Sequence, residues 1–189
     1  MAAGDFLLTV GTQFSFADHA GDFSPAAATS LEQGTPTNVQ LSLASVAAAA
    51  ARQSAKIDLG STRAPAFTVM AALEFASGVV AGETVTLYWA ASPDATAANG
   101  NPGGVSGSDA AYTGTTGSTV AESVRQLLKI GSFIATDDAT ATVQVAYIGR
   151  FAPPTQYGSL VVVNNTTPAL HSDDVEMHIV FDSIIPQNQ

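Results

Sequence analysis

The sequence predicts an all-β protein, an antiparallel β-sandwich, on two observations. From about Ala66 onward short runs alternate apolar and polar residues with a period of two, and Gly, Pro, Asn, Ser or Asp closes each run. A third observation says how such a sandwich must be held. The 189 residues include no Cys, so disulfides, thiolate metal sites and Cys nucleophiles are excluded and stability rests on packing and association. The length suits one core with an appendage. We divide it into residues 1–50, an N-terminal arm or edge segment that bridges subunits, and residues 51–189, the sandwich domain.

Residues 1–50 are the least regular. Phe6, Phe14, Phe16 and Phe23 stand among Gly, Asp and Thr without sustained periodicity. Aromatics without periodic neighbours are expected to find their burial partner on another subunit. The alternative is that Leu7 to Val10 and Val39 to Val46 are the first strands of the same sheet. Beyond Ala66 each element has a reason. Residues 67–75 put Phe67, Val69, Ala71, Leu73 and Phe75 on one face and Thr68 and Glu74 on the other. A turn bracketed by Gly78 and Gly82 leads to residues 83–90, with Val85, Leu87 and Trp89 inward. Residues 92–118 lack periodicity and read as a long surface loop of functional type, in which Tyr112 is a further interface candidate. Residues 122–129 suit a short helix and 130–134 a strand. Residues 141–150 predict a strand with Val143, Val145 and Tyr147 on one face and Thr142, Gln144 and Ala146 on the other, stopped by Pro153 and Pro154. Residues 160–163 form a β-branched run buried on both faces. Residues 175–181 place Val175, Met177, Ile179 and Phe181 in phase against Glu176 and His178, and residues 186–189 form a short tail.

Charge is scarce. Lys, Arg, Asp and Glu together make 12% of the chain, about half the usual share, and the net charge is −10. A surface built mainly of Ala, Ser, Thr, Gly and Asn is cheap to desolvate, which suits a subunit that others cover. The six basic residues are scattered, so direct binding to nucleic acid or to an anionic membrane is not expected. No run approaches the length of a membrane span, and no secretory signal pattern precedes the first strand, which predicts a soluble protein made in a cytosol-like compartment.

No catalytic, cofactor or metal constellation emerges. His171, Asp173 and His178 lack the spacing of a zinc site, and Asp94, Asn99, Asn101 and Asp109 are too spread for a calcium loop. Neither a G-x-S-x-G elbow nor a phosphate-binding glycine motif is present. The mid-strand acid Glu74 is expected to face solvent or a neighbour, and His178 to lie exposed. The chain is therefore expected not to be an enzyme and to need no cofactor. The interface candidates are Phe6, Phe14, Phe16, Phe23 and Tyr112.

The succession of residues 55–60 (AKIDLG), 85–92 (VTLYWAAS), 104–109 (GVSGSD), 128–131 (LKIG), 150–158 (RFAPPTQYG) and 160–164 (LVVVN) resembles small virion proteins of tailed bacteriophages, of the jelly-roll cement or decoration type. The resemblance covers roughly residues 54–185 and carries no catalytic residues. It implies a jelly-roll sandwich, on the capsid exterior after synthesis in the host cytoplasm, that stabilises the shell by clamping major capsid subunits, commonly as a homotrimer. The rival readings are a phage tail, neck or minor spike component, and a carbohydrate- or host-surface-binding sandwich. The last would present exposed aromatics from among Tyr88, Tyr112 and Tyr157.

Overall fold

The alternating runs become twelve strands among the described residues. They are β1 (Phe6–Val10), β2 (Phe14–Ala17), β3 (Thr37–Gln40), β4 (Ala51–Gln53), β5 (Ile57–Asp58), β6 (Ala66–Leu73), β7 (Thr84–Ser92), β8 (Ala110–Ala111), β9 (Leu128–Ile134), β10 (Gln144–Phe151), β11 (Tyr157–Asn164) and β12 (His178–Asn188). One helical turn, α1 (Val120–Ser123), precedes β9. The computed structural model describes the backbone of residues 6–18, 29–139 and 141–188, and side chains over 11–18, 29–139 and 141–185.

Two six-stranded sheets face each other. The first runs β10-β6-β12-β2-β3, with β1 continuing along β12; the second runs β8-β4-β11-β7-β9, with β5 beside β11. Every pairing between these strands is antiparallel except β2 with β3. Numbering β2, β4, β6, β7, β9, β10, β11 and β12 as first to eighth, one sheet holds the first, eighth, third and sixth strands. The other holds the second, seventh, fourth and fifth. That interleaving is the double Greek key of a jelly roll.

The first strand of the jelly roll is β2, and within residues 1–50 the described strands β1, β2 and β3 all lie in the same sheet. β1 and β2 both lie antiparallel on β12, with Val10 opposite Ile184 and Phe14 opposite Phe181. Four steps along one chain stand against three along the other, which marks a bulge at the junction. Of the two sequence alternatives for this region, strands in the sheet is the arrangement the backbone adopts.

Inward faces follow the alternation on most strands. Phe67, Val69, Ala71 and Leu73 on β6 and Val85, Leu87 and Trp89 on β7 are fully buried. Leu160 to Val163 are buried on both faces of β11 because a second apolar layer covers the outer side of that sheet. The ring of Phe181 sits at the centre of the core, with centroids of Phe16, Phe151, Trp89 and Phe67 at 4.8, 5.8, 5.8 and 6.0 Å. Such tilted pairs add about 0.5–1.5 kcal/mol each beyond area burial. Gly158 makes room for this packing, since any Cβ there would run into the Trp89 indole.

Two elements depart from expectation. β10 begins at Gln144 where the expected strand began at 141, and of its two faces Ala146 and Ile148 turn toward the core while Val145 and Tyr147 are 45% and 62% exposed. A bulge between Tyr147 and Gly149 then returns Phe151 to the interior. Both parities of this edge strand carry apolar residues, so alternation alone does not choose the face. The helix is shorter than its expected span of 122–129. A capping box between Thr119 and Glu122 fixes its start, a 3-10 turn follows over Val124–Gln126, and Leu128 already pairs with Trp89.

Two outcomes follow. Trp89→Ala should cost about 3–5 kcal/mol in chemical denaturation, as truncation of a fully buried aromatic does. Deleting residues 1–18 should abolish cooperative unfolding, because it removes the first jelly-roll strand together with Phe14 and Phe16.

Candidate functional site

The interface candidates read from sequence are placed as follows. Phe14 and Phe16 project from β2 into the core, Phe14 5.9 Å from Phe67 and Phe16 4.8 Å from Phe181. Tyr112 is buried under the 102–127 segment with Ala90, Val105, Val124, Leu127 and Val161, and its hydroxyl donates to the Gly103 carbonyl over 2.6 Å. These three rings are buried by their own chain, at 8%, 0% and 2% exposed. The backbone of Phe6 pairs with Asn188 while its side chain lies outside the described residues, as does all of Phe23.

The long loop is likewise fastened from within. An ammonium carries three N–H groups, and that of Lys56 meets four oxygens: Ser92 Oγ at 2.9 Å and the carbonyls of Asp94, Thr96 and Asn99 at 3.1, 2.8 and 2.7 Å. Partial burial lowers the Lys56 pKa, opposed by the charge of Asp94. The four acids and amides considered for calcium go to separate tasks. Asp94 accepts from the Thr96 N–H, Asn99 lends its carbonyl to Lys56, Asn101 donates to the Ala97 carbonyl, and Asp109 receives Arg52 in a two-pronged pair at 2.7 Å.

Carboxylates and histidines near the opposite end also serve the scaffold. Asp174 accepts from the Ser42 hydroxyl and from the Leu43 and Ala44 N–H groups at 2.9, 3.1 and 3.2 Å, tying the turn after β3 to the turn before β12. Glu74 lies mostly buried 3.6 Å from His171, not facing open solvent, and burial is the main cause that raises its pKa. His178, expected on an exposed face, is fully buried. Its Nδ1–H donates to the Glu176 carbonyl and its Nε2 accepts the Leu31 N–H, each over 2.9 Å. Beside it Gln13 donates to the Leu31 carbonyl and to Asp182, and accepts from the Gln33 N–H. His171, Asp173 and His178 therefore do not converge on a common point.

Concave features also occur among the described residues. A cleft of about 360 Å³ at one end of the sandwich is lined by Thr12, Phe14, Asp58, Arg63, Phe67 and Ser183. A smaller groove of about 270 Å³ lies beside α1, with Tyr88, Val120, Val124, Val163 and Asn165 on its walls. Tyr88 and Tyr157 are half-buried and Tyr112 is buried, so these rings do not form an exposed aromatic platform on one sheet.

The surface that sequence reasoning missed is the edge where β9 and β10 meet. Leu128, Ile134, Val145 and Tyr147 are exposed there, with Val80 next to the bridge that joins Val79 to Asp138. Arg125, Lys129 and Arg150, far apart in sequence, are exposed along the same two strands and the turn leading into them. The other three basic side chains are engaged, Arg52 by Asp109, Lys56 by its oxygens and Arg63 by the Pro154 carbonyl. Alternation along β10 did not say which face turns outward, and that concealed this patch.

No protein-family model and no curated protein matches the chain.

Lys56→Met should speed cleavage between residues 93 and 100 by a nonspecific protease, with wild-type protection as the reference. Burial, the main cause, lowers the His178 pKa, partly offset by the Glu176 carbonyl and the charge of Glu32. The unfolded chain then takes up that proton first, near the ordinary value of about 6.5, so His178 makes stability fall as pH drops below about 6.5 and leaves it flat above. Asp182 and Glu74, both raised by burial, act with the opposite sign in the more acidic carboxylate range. Denaturation midpoints measured from pH 7.5 to 5.5 should decline for the wild type and decline less for His178→Gln.

Proposed function

We propose that this chain is a structural virion protein of a tailed bacteriophage, a jelly-roll cement or decoration subunit that binds the capsid exterior and clamps major capsid subunits. The observation that carries the reading is the pairing of jelly-roll strand order with a charge-poor surface, joined to the sequence resemblance over residues 54–185. A clamp needs rigid, inexpensive contact area. Burial of apolar and small-residue surface yields roughly 25 cal/mol per Å², and repeated copies on one symmetric shell add avidity. The loops suit the task, since Lys56, Arg52 and Asp174 fix them before any partner arrives and reduce the ordering cost of binding. Asp94, Asp109, Asp174 and His178 hold turns and neighbouring segments in place, which suits a rigid structural subunit.

The groove beside α1, with Tyr88 and Asn165, favours a second reading in which the sandwich binds carbohydrate or another host-surface ligand. One experiment separates the two. The full chain is added to capsids assembled from the major capsid protein alone, then sedimented, and in parallel applied to a glycan array. Saturable, stoichiometric co-sedimentation with a raised capsid melting temperature is the expected result. Glycan binding without capsid binding would replace the first reading by the second, and a location in tails or necks of purified virions would move the protein off the shell.

A further inference from the structure

We propose that the β9/β10 edge is a self-association surface that binds a second copy of this chain about a two-fold axis. This inference stands apart from the virion reading. All the large apolar side chains that are strongly exposed among the described residues, Val80, Leu128, Ile134, Val145 and Tyr147, lie on or beside this edge, from 44% exposed for Leu128 to 62% for Ile134 and Tyr147. Isolated exposed apolar residues are ordinary, but their concentration on one edge of an otherwise polar molecule is not.

The two strands border each other closely, Gly131 against Ile148 and Gly149 against Ile130, so they run antiparallel along the edge. Continuing that run places Lys129 near Arg150 at one end and Ile134 near Val145 at the other, a strip of about 20 Å at the usual rise per residue. Arg125 precedes the cationic end, and none of the three cations has an ion-pair partner within 4.0 Å among the described residues. Beyond Ile134 the chain turns through exposed Asp137 and then Asp138, whose backbone bridges to Val79 beside Val80. The strip is thus positive at one end, apolar through Tyr147, and negative at the other.

Only a partner with the same pattern in reverse complements it, and a second copy turned by a two-fold axis has that pattern. Tyr147 of each copy then packs near the axis, while Lys129 and Arg150 of one copy face Asp137 of the other, twice per dimer. A polyanion or an anionic bilayer would meet the acidic end and a net charge of −10. Both strands carry bulges, between Tyr147 and Gly149 on β10 and opposite Leu87 and Tyr88 on β9. Those irregularities disfavour open-ended strand addition and favour a closed side-chain interface.

Sedimentation equilibrium of the full chain tests this. The wild type should be a dimer, and Tyr147→Glu, which alters an exposed ring, should be a folded monomer. Lys129→Glu and Asp137→Lys should each weaken self-association by about tenfold or more, because each reversal acts at two symmetric contacts. An equimolar mixture of these two variants should associate more tightly than either variant alone, since each heterodimer restores opposite charge between positions 129 and 137 at both ends. Recovery on mixing supports the proposal even if Tyr147→Glu fails to fold. A monomeric wild type would overturn it and leave Lys129 and Arg150 as guards against edge pairing. A trimeric wild type, or variants that associate as the wild type does, would overturn it too; of these outcomes only the trimer bears on the virion reading, whose resemblance implies a homotrimer.

Discussion

The packing of aromatic rings around Phe181 is the constraint on which the rest of the structure depends. Phe181 lies on the strand that sits between β6 and β2, and it touches rings from β2, β6, β7 and β10. Only Trp89 among these comes from the opposite sheet, so the Trp89–Phe181 and Trp89–Phe151 contacts at 5.8 and 5.5 Å join the two layers at their centre. The Trp89 Nε1–H has no hydrogen-bond partner among the described residues, so packing against its neighbours sets the ring's position. Everything that supplies a ring to this cluster is committed to the sandwich, including the N-terminal strand that carries Phe16.

Around that core, the irregular segments are held by a few charged and polar groups that speak to backbone atoms. Lys56 organises the 94–99 loop through carbonyls, Asp174 gathers the N–H groups after β3, and His178 with Gln13 fixes the segment at Leu31. A chain with so few charges uses them mainly as internal fasteners. The cations left over gather at the β9/β10 edge, which gives their free positions a meaning that their spacing in the sequence does not reveal.

Much of the fold was legible in the residues. Large apolar side chains at alternate positions of β6 and β7 allow only one face to the core, and the unbroken Leu160 to Val163 run announces a strand covered on both sides. The part that was not legible has specific causes. β2 is four residues long and gains its partners from a strand 160 residues later, so Phe14 and Phe16 look isolated in sequence. Tyr112 sits in a stretch of Gly, Ser and Thr whose order comes from hydrogen bonds to backbone atoms, which leave no hydrophobic period to read. β10 offered two apolar parities, and the tight approach of Gly131 to Ile148 selected the smaller one.

Strand β2 and the described 92–127 segment, which look loose in sequence, are fastened to their own sandwich, and the β9/β10 edge is left as the exposed apolar surface. Amide hydrogen exchange on the full chain tests that fastening most directly. The account predicts that the β2 amides and those of residues 103–127 that donate within the chain, such as Val105, Tyr112 and Leu127, exchange far more slowly than unstructured peptide, with β2 approaching the protection of β11 and β12. Rapid exchange of β2 and of the 103–127 segment, alongside a protected β11, would contradict it.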